Sequence, residues 1–94
     1  VLSAATGAAA ATAEEAAFLR GLGLRVRGIA SQTGFTVEAS FPLAVALAAV
    51  AVHRGRLFAP LDPAEDAMTG PLRQALVTLW GHWRGEAMAL VTPA

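Results

Sequence analysis

The chain has 94 residues, of which 55% are hydrophobic and 15% charged, so it has the length of one small domain with a single modest core. Seven arginines balance seven acidic residues, and this formal neutrality disfavours nucleic acid as a partner. Cysteine is absent, which excludes disulfides, thiolate metal ligands and a cysteine nucleophile from this sequence. The chain begins at Val1 without the pattern of a signal peptide, and a truncated or processed start is expected.

The first part of the chain predicts a strand and then a helix. Residues 1–6 form a weak strand candidate. Thr12 and Glu15 have the spacing of a capping box, in which the threonine hydroxyl and the glutamate side chain satisfy free backbone N–H groups. The box predicts a helix over residues 13–22, and Gly21 and Gly23 are expected to stop it.

Residues 24–29 alternate apolar side chains with Arg25 and Arg27, the period of a strand with one buried face. The two arginines are expected on the same side of this strand. They form either a solvated face or a contact for an acidic partner surface.

A wholly apolar helix is predicted over residues 41–52. Its 12 residues are too few to cross a bilayer, which needs roughly 20, so it reads as a core helix surrounded by other structure. Ser40 is placed to cap its start, and a further turn back to Thr36 is left open. His53 suits its C-terminal end, where the helix dipole favours a cation.

The C-terminal part predicts a surface loop over residues 58–70, followed by strands over 74–80 and 86–92. Residues 81–85 join these strands as a Gly-bounded loop of hairpin length. The order of elements predicts an α/β fold: a mixed sheet with two parallel crossovers and a C-terminal antiparallel hairpin.

Three short segments carry a resemblance to a known family. In chain order they are Ser3-Ala4-Ala5-Thr6-Gly7, Thr33-Gly34-Phe35-Thr36 and Gly81-His82-Trp83-Arg84-Gly85-Glu86. Their order around the apolar helix resembles the C-terminal half of a β-ketoacyl-acyl-carrier-protein synthase, a thiolase-fold condensing enzyme, in a divergent bacterial branch. The family has a histidine and a Gly/Thr-rich turn at the first segment, Gly-His-Thr at the second and Gly-Phe-Gly-Gly at the third. The resemblance covers nearly the whole chain.

The resemblance implies a decarboxylative Claisen condensation of malonyl-acyl carrier protein with an acyl thioester, in fatty-acid or polyketide biosynthesis. The family uses one cysteine and two histidines, whose ring N–H groups stabilise the developing oxyanion. The histidine positions fall on Ala4 and Phe35, and the cysteine would lie in the N-terminal half. We therefore expect this chain alone to be inactive, with no catalytic residue of its own.

The resemblance also implies a partial thiolase-like layer, with residues 1–94 forming one partial domain. The family's sheet has five strands in the order 3-2-1-4-5, and this chain would supply strands 2 to 5. We expect an empty slot at the missing middle strand, with unpaired backbone groups beside the apolar helix. The chain is then not expected to fold alone in the family manner.

Four residues are candidates for an acyl pocket or its gate: Gly34, Phe35, Gly81 and His82. Phe35 is either a hydrophobic plug in place of the histidine or a core residue. His82, close to Glu86, could act in acid–base chemistry, but a gating role is favoured. These two residues give too few ligands for a metal site, and no cofactor is expected. Trp80 and Trp83 either line an acyl tunnel or seal a core.

Three functions stay open at this point. The chain is a fragment of a synthase whose other half lies elsewhere, a non-catalytic partner subunit like the chain-length factors, or an independent small α/β binding module. The expected partners are the remaining half or a companion synthase subunit and, by resemblance, an acyl carrier protein. A cytoplasmic location without a membrane span is expected on the same grounds.

Overall fold

Strands and helices alternate along the chain in a computed structural model that describes residues 1–81 and 85–94. Most connections between them are short, and the longest runs over residues 54–74. The elements are β1 (Leu2–Ser3), α1 (Ala9–Leu22), β2 (Arg27–Gly28), α2 (Ala30–Thr33), a 3₁₀ turn (Val37–Ala39), α3 (Ser40–His53), β3 (Ala75–Trp80) and β4 (Glu86–Val91).

The strands form one mixed sheet in the order β2-β1-β3-β4. β1 lies parallel to both β2 and β3, whereas β3 and β4 are antiparallel. Two crossovers therefore connect parallel strands, and the sheet ends in a hairpin. The predicted α/β class is confirmed.

The expected empty slot is wrong for this chain. β1 pairs directly with β3, with Leu2 opposite Val77 and Ser3 opposite Thr78. The N–H of Ala4 extends this pairing by donating to the Thr78 carbonyl at 2.8 Å. Direct pairing satisfies the backbone donors and acceptors that an open slot would leave without partners, which gives the closed sheet its physical advantage.

The two long helices lie on opposite faces of the sheet. Leu2 and Val77 point to one face, where they form a core with Ala44 and Ala48 of α3. Their sequence neighbours Ser3 and Thr78 point to the other face, as alternation along a strand requires, and both contact α1. The small side chains on the buried side of α3 allow the helix backbone to approach the sheet closely.

Helix α1 begins at Ala9, earlier than predicted, and the capping box is wrong. Thr12 lies inside the helix, where its N–H donates to the Ala8 carbonyl at 2.8 Å, and Glu15 is buried against the sheet. The alanine run before Thr12 explains the difference, because alanine has the highest helix propensity. The predicted end at Gly23 is confirmed, because Gly23 adopts a left-handed conformation with φ of 63° just after the last helical residue. Gly21 lies inside α1 and does not stop it.

The alternation over residues 24–29 predicted that the apolar side chains are buried and the arginines are not, and this prediction is wrong. Only Arg27–Gly28 pairs as a strand, and Arg27 is fully buried while Leu24 is 57% exposed. Backbone carbonyls make this possible: Nε of Arg27 donates to Phe58 at 3.1 Å, and Nη1 donates to Val26 at 2.9 Å. A buried guanidinium needs such acceptors, and they outweigh the period-2 pattern here.

Helix α3 confirms the apolar helix of the sequence and extends it by one residue at each end. The extra turn before it is present as the 3₁₀ turn Val37–Ala39. The Ser40 hydroxyl does not cap α3; it accepts from the Thr36 N–H at 3.2 Å. The helix is not surrounded on all sides by the described residues, since Val50 is 49% exposed. None of the helices described here is long and apolar enough to cross a membrane.

The C-terminal hairpin is confirmed. β3 and β4 pair over six residues each, from Ala75 opposite Val91 to Trp80 opposite Glu86. The predicted loop over residues 58–70 contains no helix or strand and includes a turn at residues 62–65, where the Glu65 N–H donates to the Asp62 carbonyl at 3.0 Å. This loop brings the side chain of Glu65 to β2.

Candidate functional site

The carboxyl ends of three parallel strands meet at one edge of the sheet. β1 and β3 are neighbours there, yet β1 leads the chain toward β2 on one side and β3 leads it toward β4 on the other. In open α/β sheets, ligands bind outside the carboxyl ends of two adjacent strands that diverge in this way. This edge is the candidate functional site.

Two of the predicted site positions follow these strands directly. Ala4 comes after β1 and is only 1% exposed, and Gly81 comes after β3, where its N–H donates to the Gly85 carbonyl at 2.8 Å. Gly34 and Phe35 follow α2, the short helix after β2. His82 lies outside the described residues, so its gating and acid–base roles stay predictions.

Phe35 is 42% exposed, so it is not a core residue of this chain. Gly34 before it ends α2 with φ of 72°, a backbone conformation that glycine adopts at little cost. The role of Phe35 as a hydrophobic plug stays a prediction. Neither Phe35 nor Ala4 carries a side-chain group that can donate a hydrogen bond or a proton.

A buried polar cluster lies beside Ala4 and joins three elements. The hydroxyls of Ser3 in β1 and Thr78 in β3 both donate to Oε1 of Glu15 in α1, each at 2.6 Å. Among the described residues, Oε2 of Glu15 and the hydroxyl of Thr12, one helical turn away, have no hydrogen-bond partner. The cluster fixes α1 against the sheet at the point where β1 ends.

Glu15 was predicted to cap the start of a helix, so its place in this buried cluster was not predicted. A signal was present, because Ala11, Glu15 and Leu19 recur at intervals of four, the spacing of one helix face. All three are buried. Placing Glu15 on an otherwise apolar face would have predicted a buried carboxyl group in need of donors.

A second polar cluster holds the loop over residues 58–70 against β2. The Gly28 N–H donates to Oε1 of Glu65, and Nη1 of Arg27 lies 3.7 Å from Oε2 of the same carboxyl group. A Cβ at Gly28 would come within 3.3 Å of Glu65 Oε1, so glycine makes room for this contact. Arg25 and Asp66 form an exposed ion pair at 2.7 Å.

These contacts correct the prediction for the two arginines. Arg27 is buried, so it belongs neither to a solvated face nor to a docking surface. Arg25 is exposed but already has Asp66 as a partner. A shared face for binding an acidic protein is therefore excluded at this position.

The remaining predicted residues are Trp80, Trp83 and His53. Trp80 is the last residue of β3, directly before Gly81. Trp80 packs on Phe18 of α1, with ring centroids 5.3 Å apart at an angle of 38°, which supports the packing role. Trp83 lies outside the described residues. His53 is exposed at the last position of α3, which leads toward the amino end of β3.

Within residues 1–81 and 85–94, no group of three or more histidine, aspartate or glutamate side chains could hold a metal ion. What the candidate edge offers is a backbone segment over residues 4–8, outside any helix or strand, that two hydroxyls support. The Ala5 N–H donates to the Ser3 hydroxyl and the Ala8 N–H to the Thr6 hydroxyl, both at 3.2 Å.

Comparison with known proteins adds no assignment. Searches against protein-family models, curated proteins and solved structures gave no match to this chain.

Proposed function

We propose that the chain is the C-terminal part of a 3-oxoacyl-acyl-carrier-protein synthase family protein, a cytoplasmic protein of fatty-acid or polyketide biosynthesis. The observation that carries the proposal is the place of the resembling segments in the fold. Ala4 and Gly81 follow neighbouring parallel strands at their carboxyl ends, where α/β sheets bind ligands. Gly34 and Phe35 follow the helix after the third parallel strand.

The parent reaction breaks the bond between the α-carbon of malonyl-acyl carrier protein and its carboxylate, which leaves as carbon dioxide. The resulting carbanion attacks an acyl thioester on cysteine and forms a new carbon–carbon bond, with the cysteine thiolate as leaving group. This chain has no cysteine, and its positions for the two histidines hold Ala4 and Phe35. In our proposal the chain contributes walls of the site and is inactive alone.

A non-catalytic subunit that shapes the acyl site, like a chain-length factor, is the second candidate. The side chains at the two histidine positions favour it. Neither the buried methyl group of Ala4 nor the exposed phenyl ring of Phe35 can stabilise an oxyanion, whereas the phenyl ring offers an apolar surface to an acyl chain. In this case the companion subunit supplies the cysteine.

An independent binding module is the third candidate, and the closed sheet favours it. Because β1 pairs directly with β3, the backbone of the sheet needs no strand from another polypeptide between them. The resemblance to synthases would then reflect the α/β layer alone.

Native mass spectrometry of the protein isolated from its own cells, with the denatured intact mass, separates these candidates. The synthase proposal expects the chain within, or bound to, a larger polypeptide that contains a cysteine. The assembly should bind acyl-acyl carrier protein in a fluorescence-anisotropy titration. A monomer of the mass of this chain, 9.6 kDa, without affinity for the carrier protein would overturn the proposal in favour of the independent module.

A condensation assay on the same sample separates the first two candidates. The substrates are malonyl-acyl carrier protein and an acyl primer, and the condensation product is detected by mass spectrometry. If the chain belongs to a synthase, the single polypeptide that carries these 94 residues gives product when it is assayed alone. If it belongs to a non-catalytic subunit, that polypeptide alone gives no product, and product forms only when the catalytic companion is present.

A further inference from the structure

An apolar groove of about 470 Å³ is lined by none of the predicted site positions Ala4, Gly34, Phe35 and Gly81. It runs between the C-terminal half of α3, the short helix α2 and the segment that follows α3. Its volume falls within the range of about 300–1,000 Å³ that is common for small-molecule sites. Its lining includes Leu47, Val50, Arg54, Arg56 and Phe58.

One side of α3 forms the floor of the groove. Leu47, Val50 and Ala51 have the spacing that places side chains on one helix face, and Arg54 continues the same face at its end. Val50 is 49% exposed in the groove, a large apolar group without full cover. Phe58 lies across from this floor.

Hydrogen bonds to the backbone of Phe58 and Ala59 fix the wall opposite α3. The Phe58 carbonyl accepts from Nε of the buried Arg27 at 3.1 Å, and the Ala59 carbonyl accepts from the Gln32 amide at 3.4 Å. The groove is therefore bounded by segments with their own contacts in the fold.

The end of α3 places two guanidinium groups at the groove. Gly55 has φ of 65° and donates its N–H to the Val52 carbonyl, while the Arg56 N–H donates to Ala51. This pair of hydrogen bonds is a Schellman motif, which turns the chain sharply at the glycine. Arg54 and Arg56 flank that turn, and both line the groove.

Neither arginine of this turn belongs to an ion pair within the described part of the chain. The acidic residues of the next loop have other partners. Asp62 accepts from the Ala64 N–H at 2.8 Å, Glu65 contacts β2, and Asp66 pairs with Arg25. The groove thus combines an apolar floor with two unmatched positive charges.

We propose that this groove binds a single-chain fatty carboxylate, with the carboxylate on Arg54 and Arg56 and the hydrocarbon chain along Leu47 and Val50. Guanidinium groups bind carboxylates through two parallel hydrogen bonds, which gives the headgroup a defined place. The apolar floor favours an aliphatic tail over a free inorganic anion. The groove contains none of the predicted site positions Ala4, Gly34, Phe35 and Gly81, and the inference does not depend on the proposed function.

The test compares octanoate with octanol, which has the same tail length without the charge, by isothermal titration calorimetry. We expect octanoate to bind at least tenfold more tightly than octanol. Acetate and inorganic phosphate should bind at least tenfold more weakly than octanoate, because they lack the tail. The Arg54→Gln/Arg56→Gln variant should lose at least tenfold in octanoate affinity.

Arg20→Gln is the matched control, because Arg20 is an exposed arginine on α1 at the opposite face of the sheet. It should bind octanoate like the unmodified protein. Val50→Gln tests the tail contact separately and should weaken octanoate while leaving the arginines in place. Circular dichroism melts of each variant confirm that the fold is retained.

Three results would each overturn the inference. They are equal affinity for octanoate and octanol, equal affinity for octanoate and phosphate, and an equal loss of affinity in the Arg20 control and the double variant. Absence of millimolar octanoate binding by the folded protein would overturn it as well. All of these readouts are distinct from carrier-protein binding and condensation, so the two proposals can fail independently.

Discussion

Replacing Glu15 by alanine tests how much the buried polar cluster contributes to stability. Its Oε1 atom accepts two hydrogen bonds of 2.6 Å, from the hydroxyls of Ser3 and Thr78. The Glu15→Ala variant leaves both hydroxyls buried without their acceptor, at a cost of about 1–3 kcal/mol each. We expect a loss of about 2–6 kcal/mol, a large part of the roughly 5–15 kcal/mol typical of a whole domain.

Urea unfolding followed by far-ultraviolet circular dichroism measures this loss. A loss of about 3 kcal/mol at a slope of about 1.5 kcal/mol/M lowers the urea midpoint by about 2 M. Glu14→Ala is the control, because Glu14 is the exposed neighbour of Glu15 on the same helix. Its free energy of unfolding should change by no more than about 0.5 kcal/mol.

A double-mutant cycle with Thr78→Val identifies the cause of the loss. In the unmodified protein this substitution removes one hydrogen bond and should cost about 1 kcal/mol. With alanine at position 15, the Thr78 hydroxyl no longer has its carboxyl acceptor, and removing it should be neutral or stabilising. If Thr78→Val costs the same in both backgrounds, or if Glu14→Ala destabilises as much as Glu15→Ala, the cluster does not carry the stability assigned to it.

Two further predictions concern paired sites, both measured by urea unfolding. Arg27→Ala should destabilise the protein by about 3–5 kcal/mol, because it removes the ion-pair partner of Glu65 and leaves the carbonyls of Phe58 and Val26 without this donor, while Arg25→Ala, at an exposed ion pair, should cost less than about 1 kcal/mol. Equal effects would contradict the burial of Arg27. Gly55→Ala should cost about 1–2 kcal/mol because of its left-handed backbone, whereas Gly21→Ala inside α1 should stabilise by about 0.5–1 kcal/mol. The same sign at both glycines would refute the backbone argument.

The sequence predicted correctly the helices and strands that depend on neighbouring residues. The apolar run that became α3 and the two runs that became the hairpin are each continuous, and turn-forming residues separate them. Gly23 marked the end of α1 because a left-handed residue there is cheap only for glycine. The order of these elements was then enough to predict the α/β class.

The failures concern side chains whose environment is set by distant parts of the chain. The period-2 pattern treated Arg27 as a surface residue, but the carbonyl of Phe58, 31 positions away, makes its burial possible. Glu15 was predicted to be a capping residue. Its actual role, accepting a hydrogen bond from the Thr78 hydroxyl, depends on a residue 63 positions away. No local pattern contains these partners.

The sequence indicated some of the residues at the candidate edge but not the chemistry that they could perform. Gly81 could be assigned from the sequence to the loop after a strand, whereas Ala4 fell within the strand predicted over residues 1–6. Because β1 ends at Ser3, parallel pairing brings both positions to one edge. The groove with Arg54 and Arg56 was not predicted, since it needs α2, a helix of only four residues that carries no periodic signal.

β1 has a consequence for the order in which this protein opens. This two-residue strand is the only hydrogen-bonded link between β2 and the hairpin in the described sheet. It is held by few backbone bonds, among them Ala4 to Thr78 and Ile29 to Ser3. When β1 detaches, β2 loses its neighbour as well, so the amides of Ala4 and Ile29 should exchange with solvent together, ahead of those in the six-residue β3–β4 ladder. The sheet thus consists of a durable hairpin and a parallel half that is released as one cooperative unit.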